Sequence, residues 1–236
     1  MSIRPYHNIA IADCNEPLIE IPGDLFALVT PHPYEKLGAP YGGHSPYFLR
    51  PGVVDKLIAA QNYLQQKYPS WKIEIFDAYR PVAVQQFMVD YSFAQALRER
   101  GLVESELTQV QLQELWSEVY QIWAAPSLDI KTPPPHSTGA AVDVTLVDSS
   151  GNTVDMGSPI DEMSARSLPD YYLKNSHPQA SQYQANRQLL CHVMEKVGFY
   201  RNPREWWHFS FGDQMWTWLH NEANPGNSMT AIYGRV

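Results

Sequence analysis

A length of 236 residues with 44% hydrophobic, 12% aromatic and 18% charged residues describes a folded globular chain and excludes intrinsic disorder. The formal net charge of −8, with no Lys/Arg cluster, excludes a nucleic-acid-binding surface and favours a small polar substrate. No run approaches the roughly 18 consecutive apolar residues of a membrane span, and the length suits one compact domain over residues 1–236.

Residues 1–50 are rich in Pro, Gly and Tyr with short apolar runs, and are expected to form a loop-rich arm wrapped on the core. Acidic residues and prolines interrupt the start of the chain, where a signal peptide needs an unbroken apolar stretch, so the expected compartment is the cytoplasm. Over residues 53–68, Val53, Val54, Leu57, Ile58 and Leu64 follow helical spacing behind Pro51 and Gly52. Residues 71–77 alternate as a half-buried strand closed by Tyr79-Arg80-Pro81, which puts Arg80 at a strand-to-helix junction. Helical spacing returns over 82–100 and 106–124, with a break at Gly101. Pro133, Pro134 and Pro135 make a rigid, non-helical approach to His136. In the strand expected over 141–147, Val142, Val144 and Leu146 share one face while Asp143 and Thr145 share the other. A turn over 148–152 leads to a short strand near Val154, residues 184–197 form a helix ended by Gly198, and 199–211 contain a strand. Trp216, Trp218 and Leu219 are expected as a terminal core segment, and Cys14 and Cys191, which form no C-x-x-C pair, as buried thiols. Helices alternating with short, mostly hairpin-connected strands predict an α+β fold, with a small, mainly antiparallel sheet packed on helices and a metal on one sheet face.

The chemistry-bearing residues cluster in two places. His136, followed by Ser-Thr-Gly139, lies seven residues before Asp143, and a turn at Gly139 lets an imidazole and a carboxylate converge. His208, from a distant segment, would complete two His and one carboxylate, a set that leaves a zinc ion one open position. Glu205 is near enough to act on a water there without being a ligand. In an ideal strand, positions three apart face opposite sides, so Glu205 and His208 require a bend between them. Spacing alone leaves a second arrangement open, in which Glu205, Trp206 and Trp207 are a packed edge with an incidental acid.

His136-Ser-Thr-Gly-Ala-Ala-Val-Asp143 resembles the H-x-x-G-x-A-x-D signature of D-alanyl-D-alanine dipeptidases of the VanX type, and Glu205-Trp-Trp-His208 resembles their E-W-W-H. Phe76-Asp-Ala-Tyr-Arg-Pro81 is similar to the segment with that family's transition-state arginine, and Asp155-Met-Gly-Ser-Pro-Ile-Asp161 to its D-M-G-x-x-F-D loop. The resemblance implies one zinc ion on His136, Asp143 and His208, with Glu205 as acid/base. It also implies that Arg80 stabilises the oxyanion of hydrolysis. Asp161 is the expected partner of a dipeptide's free ammonium; a cap ahead of a helix over 162–165 is its alternative role. Trp206 and Trp207 should pack around the site. His7, His32, His44, His177, His192 and His220 lack a partner motif and are expected to be structural or surface residues.

Two positions depart from the family pattern. Pro134 stands where a serine is common, removing a hydroxyl and an N–H from the side expected to meet the substrate's carboxylate, and Ile160 replaces an aromatic beside Asp161. The tyrosine that such enzymes place at the substrate is Tyr34, Tyr41 or Tyr47. The expected activity is hydrolysis of D-Ala-D-Ala or a related dipeptide, with no nucleic-acid or membrane partner. A murein carboxypeptidase or endopeptidase on the same fold, or a zinc-stabilised binding domain without turnover, are the competing readings.

Overall fold

The computed structural model describes residues 4–236; residues 1–3 of the expected arm lie outside the described residues. Strands and helices follow in the order β1 (Ile19–Glu20), β2 (Ala27–Leu28), α1 (Pro33–Lys36), β3 (Phe48–Leu49), α2 (Pro51–Lys67), β4 (Lys72–Asp77) and α3 (Val82–Arg100). The order continues with α4 (Gln109–Ile122), β5 (Ala141–Val147), α5 (Ala180–Lys196), β6 (Tyr200–Arg201), β7 (His208–Ser210) and α6 (Gln214–Ala223). The fold is α+β. A five-stranded sheet runs β2-β4-β5-β7-β6; β2 joins β4 in parallel and every other pairing is antiparallel. No helix among the described residues is long and apolar enough to cross a membrane.

Local chemistry sets the element ends. Pro51 occupies the first turn of α2, where its missing N–H costs nothing. Gly101 ends α3 in the left-handed conformation, and Thr108 with Gln111 forms a capping box that starts α4. The helix expected over 184–197 begins four residues earlier, at Ala180.

The sheet has two unlike faces. Val142, Val144 and Leu146 join Ile73 and Ile75 of β4 in a core completed by Leu57 of α2, Leu190 of α5 and Phe209 of β7. Burying each such side chain contributes about 1.5–3 kcal/mol. A second core, with Val84, Val89 and Phe93 of α3 and Leu115 and Val119 of α4, also takes in Tyr34 and Tyr41. Asp143 points away from the first core into a cavity walled by the start of α3 and the end of α4.

Several expectations change. Residues 4–49 do more than wrap: β2 forms one edge of the main sheet, and β1 pairs with β3. No strand forms near Val154; Thr153 makes a single bridge to Val147. Cys191 is buried but Cys14 is exposed, because it lies on the N-terminal segment whose backbone, not its side chain, is tied to Ile232. Trp216, Trp218 and Leu219 are half-buried on α6, and Met215 and Thr217 take the inward face instead.

Candidate active site

The site is assembled from the register of three strands. Asp143 on β5 faces His208 on β7. On its other side, Asp143 faces Asp77, the last residue of β4, across a register shift between Ile75 and Asp77. Like charges directly opposite on a ladder are destabilising. Arg80 removes the conflict: its Nη2 lies 2.7 Å from an Asp77 oxygen and 3.2 Å from an Asp143 oxygen. Its Nη1 donates to Gln85 Oε1 at 2.9 Å, and its guanidinium sits over the rings of Tyr34 and Trp123. Protein groups therefore hold this buried cation on several sides, and it also lines the cavity.

His136 stands on a short 3-10 turn, Pro135–Thr138, that ends at Gly139 with φ +70°. That left-handed conformation favours glycine, and a side chain there would also press on the end of Leu18. His136 Nδ1 donates to the Ala78 carbonyl at 2.8 Å, which leaves Nε2 as the free lone pair. His208 presents the opposite nitrogen: its Nδ1 meets Asp143 Oδ1 at 3.0 Å while Nε2 lies 3.4 Å from Ser210 Oγ, which donates to Asp213.

His136 Nε2, His208 Nδ1 and the Asp143 oxygens stand 3.0 to 3.2 Å apart in pairs. Tetrahedral zinc ligands at 2.0–2.1 Å from the metal lie about 3.3 Å from one another; with one atom taken from each residue, the three donors here lie within 4.8 Å of one another and could hold a metal ion. Burial alone would raise the Asp143 carboxyl, but the His136 and His208 imidazoles hold it well below the usual carboxylate range. It stays an anion, as a ligand must.

Glu205 does not lie in a strand. β7 begins at His208, and Glu205 sits in the turn before it, its N–H bonded to the Asn202 carbonyl. The turn supplies the bend that the spacing demands and brings Glu205 Oε2 to 3.7 Å from His208 Nδ1, with Asn202 Nδ2 donating to it at 2.9 Å. Burial pushes the Glu205 carboxyl up to about 7; His208 and Arg80 work against the shift and Asp143 with it.

Asp161 has φ +65°, a left-handed conformation uncommon outside glycine and best tolerated by Asn and Asp. It caps no helix: none forms over 162–165, and the 3-10 turn after it is capped by Ser164. Its Oδ2 accepts from Tyr34 Oη at 2.6 Å, and Arg80 Nη2 lies 3.2 Å from the same hydroxyl. Burial pushes the Asp161 carboxyl up to about 7, Asp143 adds to the shift, and Arg80 and Tyr34 oppose it.

Arg80, His136, Asp143, Asp161, Glu205 and His208 thus line one cavity. Among the three tyrosines left open, Tyr34 reaches the site, Tyr41 bonds Asp77 behind it, and Tyr47 turns to the Val29 carbonyl. Trp207 lines the cavity, whereas Trp206 packs away from it and donates to Ser158. Sequence reasoning missed Asp77, Gln85, Asn202 and the buried His32, whose Nε2 lies 3.1 Å from Asp77 Oδ1. Asp77 and Asn202, each three residues before a named site residue, carried a usable signal; His32 carried none.

An α+β frame in which two imidazoles and a carboxylate converge beside a further carboxylate outside that group is an arrangement suited to a metallopeptidase. A chain of that class should share its pattern with peptidases well beyond the motifs. The chain does so, and it belongs to the Peptidase_M15 family, D-ala-D-ala dipeptidase, which it matches over residues 28–224. A D-alanyl-D-alanine dipeptidase of Synechocystis sp. (strain ATCC 27184 / PCC 6803 / Kazusa) is 51% identical over 240 residues, 99% of this chain and 97% of the relative. A D-alanyl-D-alanine dipeptidase of Escherichia coli (strain K12) is 43% identical over 82 residues, 35% of this chain and 40% of the relative. The structure of the LdcB LD-carboxypeptidase aligns at TM-score 0.44 and 15% identity, covering 86% of this chain and 72% of that one.

Proposed function

We propose that the chain is a zinc-dependent dipeptidase acting on D-alanyl-D-alanine or a closely related D,D-dipeptide. The observation that carries this reading is the convergence, in one cavity, of the His136/Asp143/His208 set, Glu205, Arg80 and Asp161. The substrate class is also that of the relatives' names.

Zinc on the three ligands would supply a Lewis acid that polarises the scissile carbonyl and acidifies a water molecule. Glu205, with a carboxyl near neutrality, takes a proton from that water and delivers it to the leaving amine. Arg80, already locked between Asp77 and Asp143, is a fixed cation where oxyanion charge develops and needs no rearrangement to act. Asp161 holds the substrate's ammonium, with Tyr34 fixing the carboxylate's orientation. A longer peptide would put an uncharged amide against that carboxylate and leave it unpaired, which favours dipeptides.

The test joins metal analysis to a ninhydrin-type assay on D-Ala-D-Ala, L-Ala-L-Ala and N-acetyl-D-Ala-D-Ala. One zinc per chain and cleavage of the free D,D-dipeptide alone are expected, with activity lost to a chelator and restored by zinc. Cleavage of intact muropeptides but not of the dipeptide would overturn the assignment in favour of a wall endopeptidase.

A further inference from the structure

A dipeptide is a zwitterion, and its two charges need separate partners once it leaves water. If Asp161 takes the ammonium, a cation or strong donors must meet the α-carboxylate beyond the scissile bond. Two arginines and no lysine line the cavity: Arg80 and Arg4. Arg80 is already assigned to the oxyanion at the scissile bond, and through Tyr34 it belongs to the ammonium side. The wall near His136 offers little, since Pro134 and Pro135 have no N–H to donate.

Arg4 is differently placed. Its Nη2 donates to the Tyr120 carbonyl in the last turn of α4, and no ion pair of Arg4 occurs among the described residues. Tyr6, two residues on, lines the same cavity. Burial pushes its hydroxyl up to about 12, so it stays a neutral donor. The segment is strapped down rather than trailing. Gln214 of α6 donates to the Ile9 carbonyl at 2.6 Å, Ile11 bridges to Ala231, and Ala12 N–H donates to the Ala231 carbonyl at 2.8 Å. Arg4 therefore reaches from the N-terminal segment, seated beside α6, to α4, and lines the cavity together with Asn202, Glu205 and Met215. The segment lies outside the residues, 28–224, that match the family.

We propose that Arg4, with Tyr6 beside it, binds the α-carboxylate of the substrate's C-terminal residue and so makes the enzyme require a free C-terminus as well as a free N-terminus. This inference rests on the proposed dipeptidase activity. The two anchors measure the substrate from both ends: a guanidinium meets a carboxylate at one end, and a carboxylate meets an ammonium at the other.

The test compares D-Ala-D-Ala with D-alanyl-D-alaninamide on the full-length zinc enzyme, as wild type, Arg4→Gln and Arg4→Lys. The wild type should strongly prefer the acid. Arg4→Gln should raise KM for the acid by about 10- to 100-fold, the span of a lost charge-assisted hydrogen bond, with kcat and Tm little changed and the preference over the amide largely gone. Arg4→Lys, which keeps the charge but not the fork, should recover part of it. An Arg4→Gln enzyme that keeps the wild-type preference for the acid overturns the assignment of Arg4 while leaving the dipeptidase reading intact. A wild type that cleaves neither compound overturns that reading, and the role of Arg4 with it.

Discussion

On the floor of the cavity, Asp143 and His208 face each other across a β-ladder and His136 stands on a turn hydrogen-bonded to β4's end, so their separations follow from strand register. On the wall, Asp161, Asn202 and Arg4 come from irregular backbone at remote points of the chain, Asp161 is met from behind by Tyr34 of the short helix α1, and their positions follow from side-chain bonds and burial. A one-residue slip would turn the floor inside out, which makes it an all-or-none construction. The wall can change one residue at a time. On the proposed function, reaction type and substrate choice would thus be held by different physics within one cavity.

Three substitutions sharpen that contrast. Glu205→Ala should give the largest effect, lowering kcat by about 10²- to 10⁴-fold as general acid/base catalysis is lost, while zinc content stays at the wild-type value. A variant that kept its turnover would remove Glu205 from the mechanism. Arg80→Gln should lower kcat by about 10²- to 10³-fold through loss of oxyanion stabilisation. It should also lower Tm, because Asp77 and Asp143 are left facing each other without their shared cation. An Arg80→Gln protein as stable as wild type would show that the floor does not depend on that ion pair.

Asp161→Asn should behave in the opposite way, weakening substrate binding while stabilising the fold. Its KM for D-Ala-D-Ala should rise by about 10- to 100-fold as the ammonium loses its charged partner. The stability sign follows from linkage. The Asp161 carboxyl titrates near about 7 when folded and near about 3.9 when unfolded, so the folded state binds the proton more tightly and stability falls as pH rises between those values. Removing the group should raise Tm at pH 8 by on the order of 5 °C and leave it unchanged at pH 4. Equal Tm values at pH 8, measured by calorimetry on the metal-loaded proteins, would count against a strained, partly dry anchor.

The floor was legible in the sequence because its candidate metal donors sit in short local patterns. Alternation over residues 141–147 turned Asp143 away from Val142 and Val144, and Gly139 marked the turn that brings His136 back. The mismatch between Glu205 and His208 even pointed to a bend, and the turn at Asn202 provides it. The wall was mostly illegible. Tyr34 meets Asp161 across 127 residues and His32 meets Asp77 across the β2–β4 edge, and no periodicity encodes such encounters. The end of α3 at Gly101 was found closely, whereas α4 began three residues later than expected, behind the Thr108 cap, and α5 four residues earlier, where Gln179 caps it with no side-chain bond to announce it.

Arg50 joins parts of the chain that are made at very different times. Its buried side chain donates to the carbonyls of Glu16, Thr138 and Gly234 and pairs with Asp13, while Val236 N–H donates to the Ser137 carbonyl beside His136. During synthesis from the N-terminus, the turn that carries His136 must wait, with some of its hydrogen bonds unmade, until residues 234–236 leave the ribosome. Until those residues emerge, Arg50 lacks the Gly234 carbonyl and Ser137 lacks its bond from Val236, so the turn beside His136 is the last part of the cavity floor to gain its full set of hydrogen bonds.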